Sequence, residues 1–381
     1  MIHERRSASA CEAHLREKYN AIARDFAPSL APGTSIDVEP SPFRSFRSRV
    51  RVQVIHRAND EVTYARWTPD ESIEIDIDDS IEMEHAISSV SRVMRELLRE
   101  MNARHALREG VAAAHFLGDA AGESVLATLV YSRAMDEERW LEDAREIASK
   151  EFAGVRLSLL GRSKGRTLVV GEAFVLERYT LADGRVLKYK HVEGAFSNPN
   201  ATITEKTMDF LCACASEVIT RSNARAKLLE LYCGNANHTC ALAAIFDSIV
   251  AVEINPTLVS AARESLAMNG VTNAEVVLGD SRDAARRLMG GKFRRADSRL
   301  VSIENFDAVL VDPPRAGLDS DTLKLVSMFK YVLYVSCGPN AMLENMRDGL
   351  NGHVIERMVV LDHFPYTRHI EVACLFRRLD S

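Results

Sequence analysis

Long apolar runs are missing from this sequence, and its first residues contain no apolar segment. No stretch approaches the roughly 20 apolar residues of a membrane-spanning helix, although 46% of the chain is hydrophobic. The first residues, Met1–Arg6, combine arginine and glutamate where a secretory signal would have an apolar core. These absences predict a cytoplasmic protein that does not enter a membrane.

Cysteines are few and irregularly placed, which argues against disulfide frameworks and zinc sites. The chain has 7 of them, at positions 11, 212, 214, 233, 240, 337 and 374. Their number is odd, and no pair has the spacing of a zinc site. We therefore expect reduced thiols and no metal ion.

A glycine-rich dinucleotide loop is also absent, and the turn in its place favours another cofactor. The predicted strand 227–232 is followed by a turn with Gly234 as its only glycine, where a dinucleotide site would have GxGxxG. Small residues there bring a ligand close to backbone N–H groups at a helix start. Glu253 ends the next predicted strand and can accept hydrogen bonds from both hydroxyls of a ribose. With Asp280 ending the third strand, this combination resembles a class I S-adenosylmethionine methyltransferase.

Basic residues do not outnumber acidic ones, yet their distribution suggests a nucleic acid partner. The 48 Lys and Arg against 54 Asp and Glu give a net charge of −6. Residues 70–84 carry acids and no base, whereas 44–57 and 156–166 carry bases and no acid. Apolar and basic side chains alternate over 46–54, which predicts a strand with one guanidinium face.

We assign RNA-backbone contacts to the basic side chains of these stretches, because phosphate contacts supply much of the affinity for nucleic acids. They are Arg44, Arg47, Arg49, Arg51, Arg162, Lys164 and Arg166. The alternatives are a solvated strand face for the first stretch and an exposed hairpin tip, residues 161–166, for the second.

The order of predicted elements divides the chain near residues 195–200. Residues 1–195 mix helices with strand pairs, which predicts an N-terminal α+β domain, and because it carries both basic stretches we expect it to be the RNA-binding domain. Apolar spacing predicts one long helix there, over 81–104. Strands and helices alternate over 196–381, which predicts a Rossmann-like catalytic domain with a doubly wound parallel sheet.

Two further predicted strands in this domain end in groups that can do chemistry. The run 306–312 ends in Asp312, and the run 331–336 is followed by Cys337. Ligands of open α/β sheets bind beyond the carboxyl ends of the strands, so both side chains should face one crevice. A cysteine at a strand end before a helix start favours its thiolate, and we predict that Cys337 is a nucleophile.

Four stretches are similar to motifs of the RNA uridine-5-methyltransferase family. They are residues 229–235, 306–319, 335–337 and 364–371. The resemblance extends over nearly the whole chain. It implies an S-adenosylmethionine-dependent methyltransferase that modifies uridine 54 in the T arm of tRNA. Cys11 alone precedes residue 212, so the four-cysteine cluster of the ribosomal RNA branch is missing, which favours tRNA.

The resemblance also implies roles for individual residues. Cys337 is the nucleophile, and Glu371 is the base that removes the C5 proton. The positions that hold the methyl donor are matched by Asn198, Tyr232, Asn237, Glu253 and Asp312. Asn198 stands where the family usually has glutamine, so the amide is kept on a shorter side chain.

This chemistry needs a thiol and a base because uracil C5 is too weak a nucleophile to take a methyl group directly. Thiolate addition at C6 makes C5 nucleophilic, and the C5 proton must be removed before the thiol leaves. Glu371 begins an apolar strand, so we expect its pKa to be raised. Arg315 can hold the enolate oxygen or an RNA phosphate. The uridine must also be flipped out of its stack.

Two other functions remain open at this point. One is C5 methylation of ribosomal or another structured RNA, and the other is an RNA-binding or RNA-folding factor with little methylation. A pure binder would not need both Cys337 and Glu371. Methylation of an amino group expects an aromatic residue after Asp312–Pro314, where Arg315 stands.

Overall fold

Short apolar runs form the strands of this protein, and longer stretches with helical spacing form its helices. The computed structural model describes residues 7–67, 72–149, 151–222, 226–295 and 299–379. Met1–Arg6 of the N-terminus, and Asp70 and Glu71 of the acidic stretch, lie outside these ranges.

The strands in chain order are β1 (Ile36–Glu39), β2 (Arg49–His56), β3 (Val62–Trp67), β4 (Ser72–Glu74), β5 (Val111–Gly118), β6 (Ser124–Tyr131), β7 (Arg156–Ser163), β8 (Arg166–Val170), β9 (Phe174–Thr180), β10 (Val186–Val192), β11 (Lys227–Leu231), β12 (Ser248–Glu253), β13 (Ala274–Leu278), β14 (Phe293–Arg294), β15 (Leu300–Val301), β16 (Ala308–Val311), β17 (Tyr331–Ser336), β18 (His353–Leu361) and β19 (Glu371–Arg378). The helices are α1 (Ala8–Phe26), α2 (Ile81–His85), α3 (Ser88–Ala103), α4 (His105–Arg108), α5 (Glu137–Ala148), α6 (Ala201–Ser222), α7 (Asn237–Leu242), α8 (Pro256–Met268), α9 (Ser281–Met289), α10 (Ser320–Val326) and α11 (Pro339–Asp348), with 3₁₀ turns at Ala27–Ser29 and Ile303–Asn305.

An 8-stranded sheet in the order β1-β18-β19-β17-β16-β11-β12-β13 forms the centre of the first compact unit. Strands β17, β16, β11, β12 and β13 are parallel, which confirms the predicted Rossmann-like fold. Strand β19 is antiparallel to both of its neighbours, so one antiparallel strand interrupts the predicted parallel sheet. The reason is local: β18 and β19 are joined by a hairpin connection, and a hairpin makes its strands antiparallel.

Both faces of this sheet are buried, and successive strand residues alternate between two apolar clusters. Leu229 and Leu231 of β11 belong to one cluster, whereas Leu228 belongs to the other. Helix α1 contributes Leu15, Ile22 and Phe26 to the first cluster. The chain from this helix up to Ser41 is therefore part of the unit that holds the predicted catalytic strands.

The second compact unit contains Pro42–Arg178 and His191–Ala201. The boundary predicted near 195–200 thus falls within a stretch of this unit. Its 7-stranded sheet has the order β4-β3-β2-β5-β6-β7-β8, antiparallel except between β6 and β7. Helix α3 buries one apolar face against it. The assignment of this unit to RNA binding stays a prediction.

Two elements of the second unit differ from the sequence prediction. The single helix predicted over 81–104 is broken between α2 and α3, where Ala86 is extended and bridges Arg47. The loop predicted over 161–166 is shorter, because β7 continues through Ser163 and pairs it with Arg166. Backbone pairing outweighs local periodicity at both places, with the distant residue Arg47 at the first and with the adjacent strand β8 at the second.

All 7 cysteines are free thiols, as the sequence predicted. Across the part of the chain that the structure describes, helices long and apolar enough to span a bilayer are absent.

Candidate active site

The carboxyl ends of four parallel strands meet at one edge of the 8-stranded sheet. Leu231, the last residue of β11, pairs with Val252 of β12 and with Val311 of β16, and Val311 pairs with Tyr334 of β17. The residues that follow these positions therefore lie side by side. Four of the residues predicted to hold the donor or do the chemistry lie at this edge: Tyr232, Glu253, Asp312 and Cys337.

The turn after β11 has the backbone shape that a close ligand needs. Tyr232, Gly234 and Ala236 have positive φ values of 63°, 58° and 68°. A Cβ on Gly234 would meet no atom within 4 Å, so the turn borders open space. A left-handed backbone conformation costs free energy for residues other than glycine. Such residues persist where the surrounding structure holds them in place, which is often at functional sites.

Two side-chain atoms of this turn are buried without a hydrogen-bond partner among the described residues: Asn235 Nδ2 and Asn237 Oδ1. A buried polar atom without a partner costs free energy until a ligand or water satisfies it. The donor–acceptor groups of a nucleoside suit such atoms, so the turn fits the predicted S-adenosylmethionine.

Glu253 is buried and holds the turn in place. Its two carboxylate oxygens accept hydrogen bonds from the backbone N–H of Gly234 at 3.0 Å and of Asn255 at 2.8 Å. Each oxygen keeps a further lone pair. The predicted acceptor of ribose hydroxyls therefore also fixes the loop beside it.

Asp312 lies between the turn after β11, which we expect to hold the methyl donor, and the predicted nucleophile Cys337. Its Oδ2 is 3.3 Å from Nε2 of His238, a buried residue of α7. Burial lowers the pKa of His238, but the hydrogen bond and charge of Asp312, with the charge of Glu230, raise it overall. Sequence reasoning gave His238 no role, whereas the structure shows that it contacts Asp312.

Cys337 is half-buried at the end of β17, one residue before the N-cap of α11. Burial raises the pKa of its thiol, and the charges of Glu371 and Asp312 raise it further, whereas Arg315 lowers it. The expectation of a favoured thiolate was therefore wrong for the protein without substrate. Two neighbouring carboxyl groups and loss of solvent outweigh the helix start.

Glu371 is the first residue of β19 and lies directly across from Cys337. Ser336 pairs with Val372 in the antiparallel ladder, so the next residue of β17 and the preceding residue of β19 are opposite each other. Burial raises the pKa of Glu371 to about 8, Asp312 adds to the rise, and Arg315 opposes it. The raised pKa predicted from the sequence is confirmed.

A second residue near Glu371 was missed by sequence reasoning. His363 is buried, with Nε2 3.4 Å from Oε2 of Glu371, and burial lowers its pKa to about 3. An imidazole in this state is neutral at physiological pH. The one feature of the sequence that could have pointed to His363 is its position just before the motif 364–371.

The predicted RNA-binding side chains divide into those with partners in the second unit and those without. Arg44 pairs with Glu84 at 2.5 Å, and Arg166 pairs with Glu137 at 3.0 Å. Arg162 pairs with Glu193, and Arg49 donates to the carbonyl of Ala195 at 2.5 Å. The basic stretches are thus partly paired with carboxylates, which the spacing along the chain did not reveal.

The other basic side chains have no ion-pair partner within the described ranges. Arg51 and Lys164 are exposed in the second unit, and Arg315 is exposed in the first. Arg47 is half-buried, and its Nε has no hydrogen-bond partner in the described part of the chain. Asn198 also belongs to the second unit and is half-buried there. Its predicted role toward the donor stays a prediction.

Clusters of three or more side chains suited to hold a metal ion do not occur among the described residues.

Comparisons with known proteins agree with this geometry. The chain matches the family described as tRNA (Uracil-5-)-methyltransferase over residues 10–379. It is 32% identical over 380 residues to a tRNA/tmRNA (uracil-C(5))-methyltransferase of Acinetobacter baumannii (strain ACICU), covering 97% of this chain and 99% of that protein. A protein of the same name from Ectopseudomonas mendocina (strain ymp) is 35% identical over 372 residues, with 96% and 97% covered.

A solved structure shares the fold over almost the whole length. It is the Pyrococcus abyssi tRNA (uracil-54, C5)-methyltransferase in complex with S-adenosyl-L-homocysteine, with a TM-score of 0.70 and 21% identity. The match covers 96% of this chain and 83% of that one.

Proposed function

The chain belongs to the tRNA (uracil-5-)-methyltransferase family, and from that premise we propose that it methylates C5 of uridine 54 in the T arm of tRNA. The enzyme uses S-adenosylmethionine as methyl donor. The observation that carries the proposal is the position of the Cys337 thiol across the strand ladder from the Glu371 carboxyl group. Uridine 54 is supported by the name of the Pyrococcus abyssi protein.

The first step belongs to Cys337. Its thiol must lose its proton, and we infer that solvent takes it; Glu371 must also be ionised before the last step, in which it accepts the C5 proton. The sulfur then bonds to C6 of uracil, and the electrons of the C5–C6 double bond move toward C5 and O4. Arg315, whose charge lowers the pKa of Cys337, favours the thiolate and suits the developing enolate charge.

The donor is held by the turn after β11, through Asn237, Glu253 and Tyr232, and by Asp312. Bound S-adenosylmethionine would supply an electrophilic methyl group that C5 accepts, with S-adenosylhomocysteine as the leaving group. Glu253 and Glu371 at this edge of the sheet are both buried, so solvent has little access to these two carboxyl groups. A dry site protects the covalent intermediate from side reactions.

The last step belongs to Glu371. Its carboxylate takes the proton from C5, the electrons of that bond restore the C5–C6 double bond, and the Cys337 thiolate leaves. With its pKa raised to about 8, the protonated carboxyl group is stable once formed. His363, neutral and 3.4 Å away, presents a polar nitrogen to that carboxyl group.

The RNA is held by exposed basic side chains while the uridine is flipped out of the loop. Arg51 and Lys164 of the second unit, and Arg315 beside the thiol, are the strongest candidates, because they have no ionic partner in the described residues. Arg44, Arg49, Arg162 and Arg166 would first have to leave their partners.

The decisive experiment incubates the protein with methyl-labelled donor and separate pools of unmodified tRNA and ribosomal RNA. Label at position 54 of tRNA is expected, with none in a tRNA whose uridine 54 is cytidine. Glu371→Gln should reach the methylated covalent intermediate and stall, giving a labelled protein–RNA adduct on a denaturing gel. Label confined to ribosomal RNA, or absent from both pools, would overturn the proposal.

A further inference from the structure

Helix α1 presents one charged side chain on its buried face. The buried residues of this helix are Cys11, Leu15, Lys18, Ile22 and Phe26. The four besides Lys18 are apolar, and their spacing is that of a helix packed on a core. A buried ammonium group is costly unless it is paired and hydrogen-bonded, so Lys18 needs a specific reason to be there.

The ammonium group of Lys18 has three acceptors, which matches its three N–H donors. Its Nζ donates to Oδ1 of Asp362 at 2.5 Å, to the carbonyl of His369 at 3.2 Å and to that of Phe364 at 3.4 Å. The side chains of Lys18 and Asp362 are 7% and 1% exposed. This pair is therefore a dry, charge-assisted contact and differs from the solvated pairs of the surface.

All three acceptors belong to the segment 362–370, which connects β18 to β19. Leu361 and Glu371 are paired directly at its base. Lys18 thus holds the first residue of the segment, Asp362, and a carbonyl near its end, His369. The two residues that Lys18 holds are close to Glu371. Asp362 follows Leu361, the pairing partner of Glu371, and His369 precedes Glu371 by two positions.

We propose that Lys18 is a positioning residue for Glu371, which it orients by fixing both ends of the segment 362–370. The inference rests on the proposed function, since it gives Lys18 a part in the removal of the C5 proton. Correct placement of a base is worth a large factor in rate, because a displacement of about 1 Å can cost roughly 100-fold.

The effect of Lys18 is geometric. The pKa of Glu371 is raised by burial and by Asp312 and lowered by Arg315. Other contacts order the middle of the segment: Thr367 Oγ1 donates to the carbonyl of Phe364 at 2.8 Å and accepts from the N–H of His369 at 3.2 Å. The segment therefore keeps local order when Lys18 is changed, while the hold of Lys18 on its two ends is lost.

The test removes both charges together, because a single change would leave the other charge buried and alone. Lys18→Met with Asp362→Leu replaces both charged side chains by apolar ones of roughly similar volume. A buried ion pair can be replaced in this way with little loss of stability. The variant is assayed with unmodified tRNA and methyl-labelled donor, beside wild type and Glu371→Gln.

The expected result is donor binding like that of wild type, turnover lower by roughly 10- to 100-fold, and accumulation of the methylated covalent adduct. The adduct is the informative readout, because a merely structural role would lower binding and turnover together without it. The matched control is Arg295→Met with Glu275→Gln, which removes a partly buried ion pair of 2.5 Å elsewhere in the same unit. It should turn over like wild type.

Wild-type turnover in the double variant, or lower turnover without adduct, would overturn the proposal for Lys18. If the double variant does not fold, Lys18→Met alone gives the same test, because it removes all three contacts and the buried carboxyl group of Asp362 can take up a proton and become neutral. A partial stall supports the proposal, and full turnover without adduct overturns it. Failure of the proposed function is recognised separately, as absence of tRNA methylation by the wild type.

Discussion

The reacting groups of this protein are both kept protonated by their surroundings. Burial raises the pKa of Cys337 and of Glu371, and Asp312 adds to both shifts. The nucleophile and the base must each lose a proton before they can react, and low pH keeps both protons bound. We therefore expect methylation to accelerate as the pH rises through the neutral range.

Replacement of the nucleophile should separate binding from chemistry. Cys337→Ala removes the sulfur that adds to C6, so turnover should be lost while donor binding stays nearly unchanged. With tRNA containing 5-fluorouridine, the wild type should form a stable covalent adduct, because fluorine cannot be removed as a proton. Methylation by the alanine variant would contradict the role of Cys337.

Glu371 should also affect stability in a pH-dependent way. Its pKa is about 8 in the folded protein against an ordinary value of 4.5. Below the ordinary value the carboxyl group is protonated in both states. Above it only the unfolded chain ionises, so stability is lost as the pH rises toward the folded pKa. The loss is up to about 1.4 kcal/mol per pH unit.

Glu371→Gln removes this linkage. The free energy of unfolding of the variant, relative to wild type, should increase between about pH 5 and pH 8. Urea titrations at several pH values measure it. Glu344→Gln, at an exposed position on α11, is the control and should show the same difference at every pH. A pH-independent difference for Glu371→Gln would mean that Glu371 ionises normally.

At the scale of elements, two connections that follow neighbouring strands are packed against each other. Gly338 follows Cys337, and a Cβ at this glycine would lie 2.5 Å from the carbonyl oxygen of Arg315. The turn after β17 and the one after β16 therefore touch through backbone atoms. This close approach is what brings Arg315 and Cys337 near each other.

Gly338→Ala should force these two turns apart. Overpacking of this kind costs roughly 1–3 kcal/mol of stability, and it should slow thiol addition, measured as the rate of adduct formation with 5-fluorouridine tRNA. Gly352→Ala is the matched control, because a Cβ at Gly352 meets nothing within 4 Å. Equal adduct rates in the two variants would show that the contact at Arg315 does not position the thiol.

At the scale of the whole molecule, a net charge of −6 has to be reconciled with a polyanionic substrate. Acidic residues of the stretch 70–84 are partly neutralised by ion pairs, such as Glu82 with Arg66 at 2.7 Å and Glu84 with Arg44 at 2.5 Å. The exposed bases without such partners, Arg51 and Lys164, then determine the local potential more than the total charge does.

Charge reversal at these two positions should weaken tRNA binding. For Arg51→Glu and Lys164→Glu, each lost phosphate contact should reduce the log–log salt slope by roughly 0.7–0.9. Donor affinity should not change. Arg99→Glu, an exposed position of α3 that already pairs with Glu96, is the control and should bind tRNA like wild type. Unchanged affinity and slope in both test variants would assign Arg51 and Lys164 to the solvated surface.

The sequence by itself determined the order of strands and helices in the catalytic part. It also determined that Glu253, Asp312 and Cys337 lie at the carboxyl ends of strands. It could do so because buried strands and amphipathic helices have local periodicities. The tertiary structure alone decided the break at Ala86 and the ionic partners of Arg44 and Arg162, because both depend on residues distant in the chain.

Lys18, His363 and the protonated state of Cys337 also became apparent only in the folded chain. Lys18 and Asp362 are far apart in sequence and close in space, so no local pattern links them. A pKa depends on the charges and solvent around a group in the folded protein, and these are set when strands β16, β17 and β19 come together. Local spacing fixes which residues reach the edge of the sheet, and long-range packing fixes their chemistry.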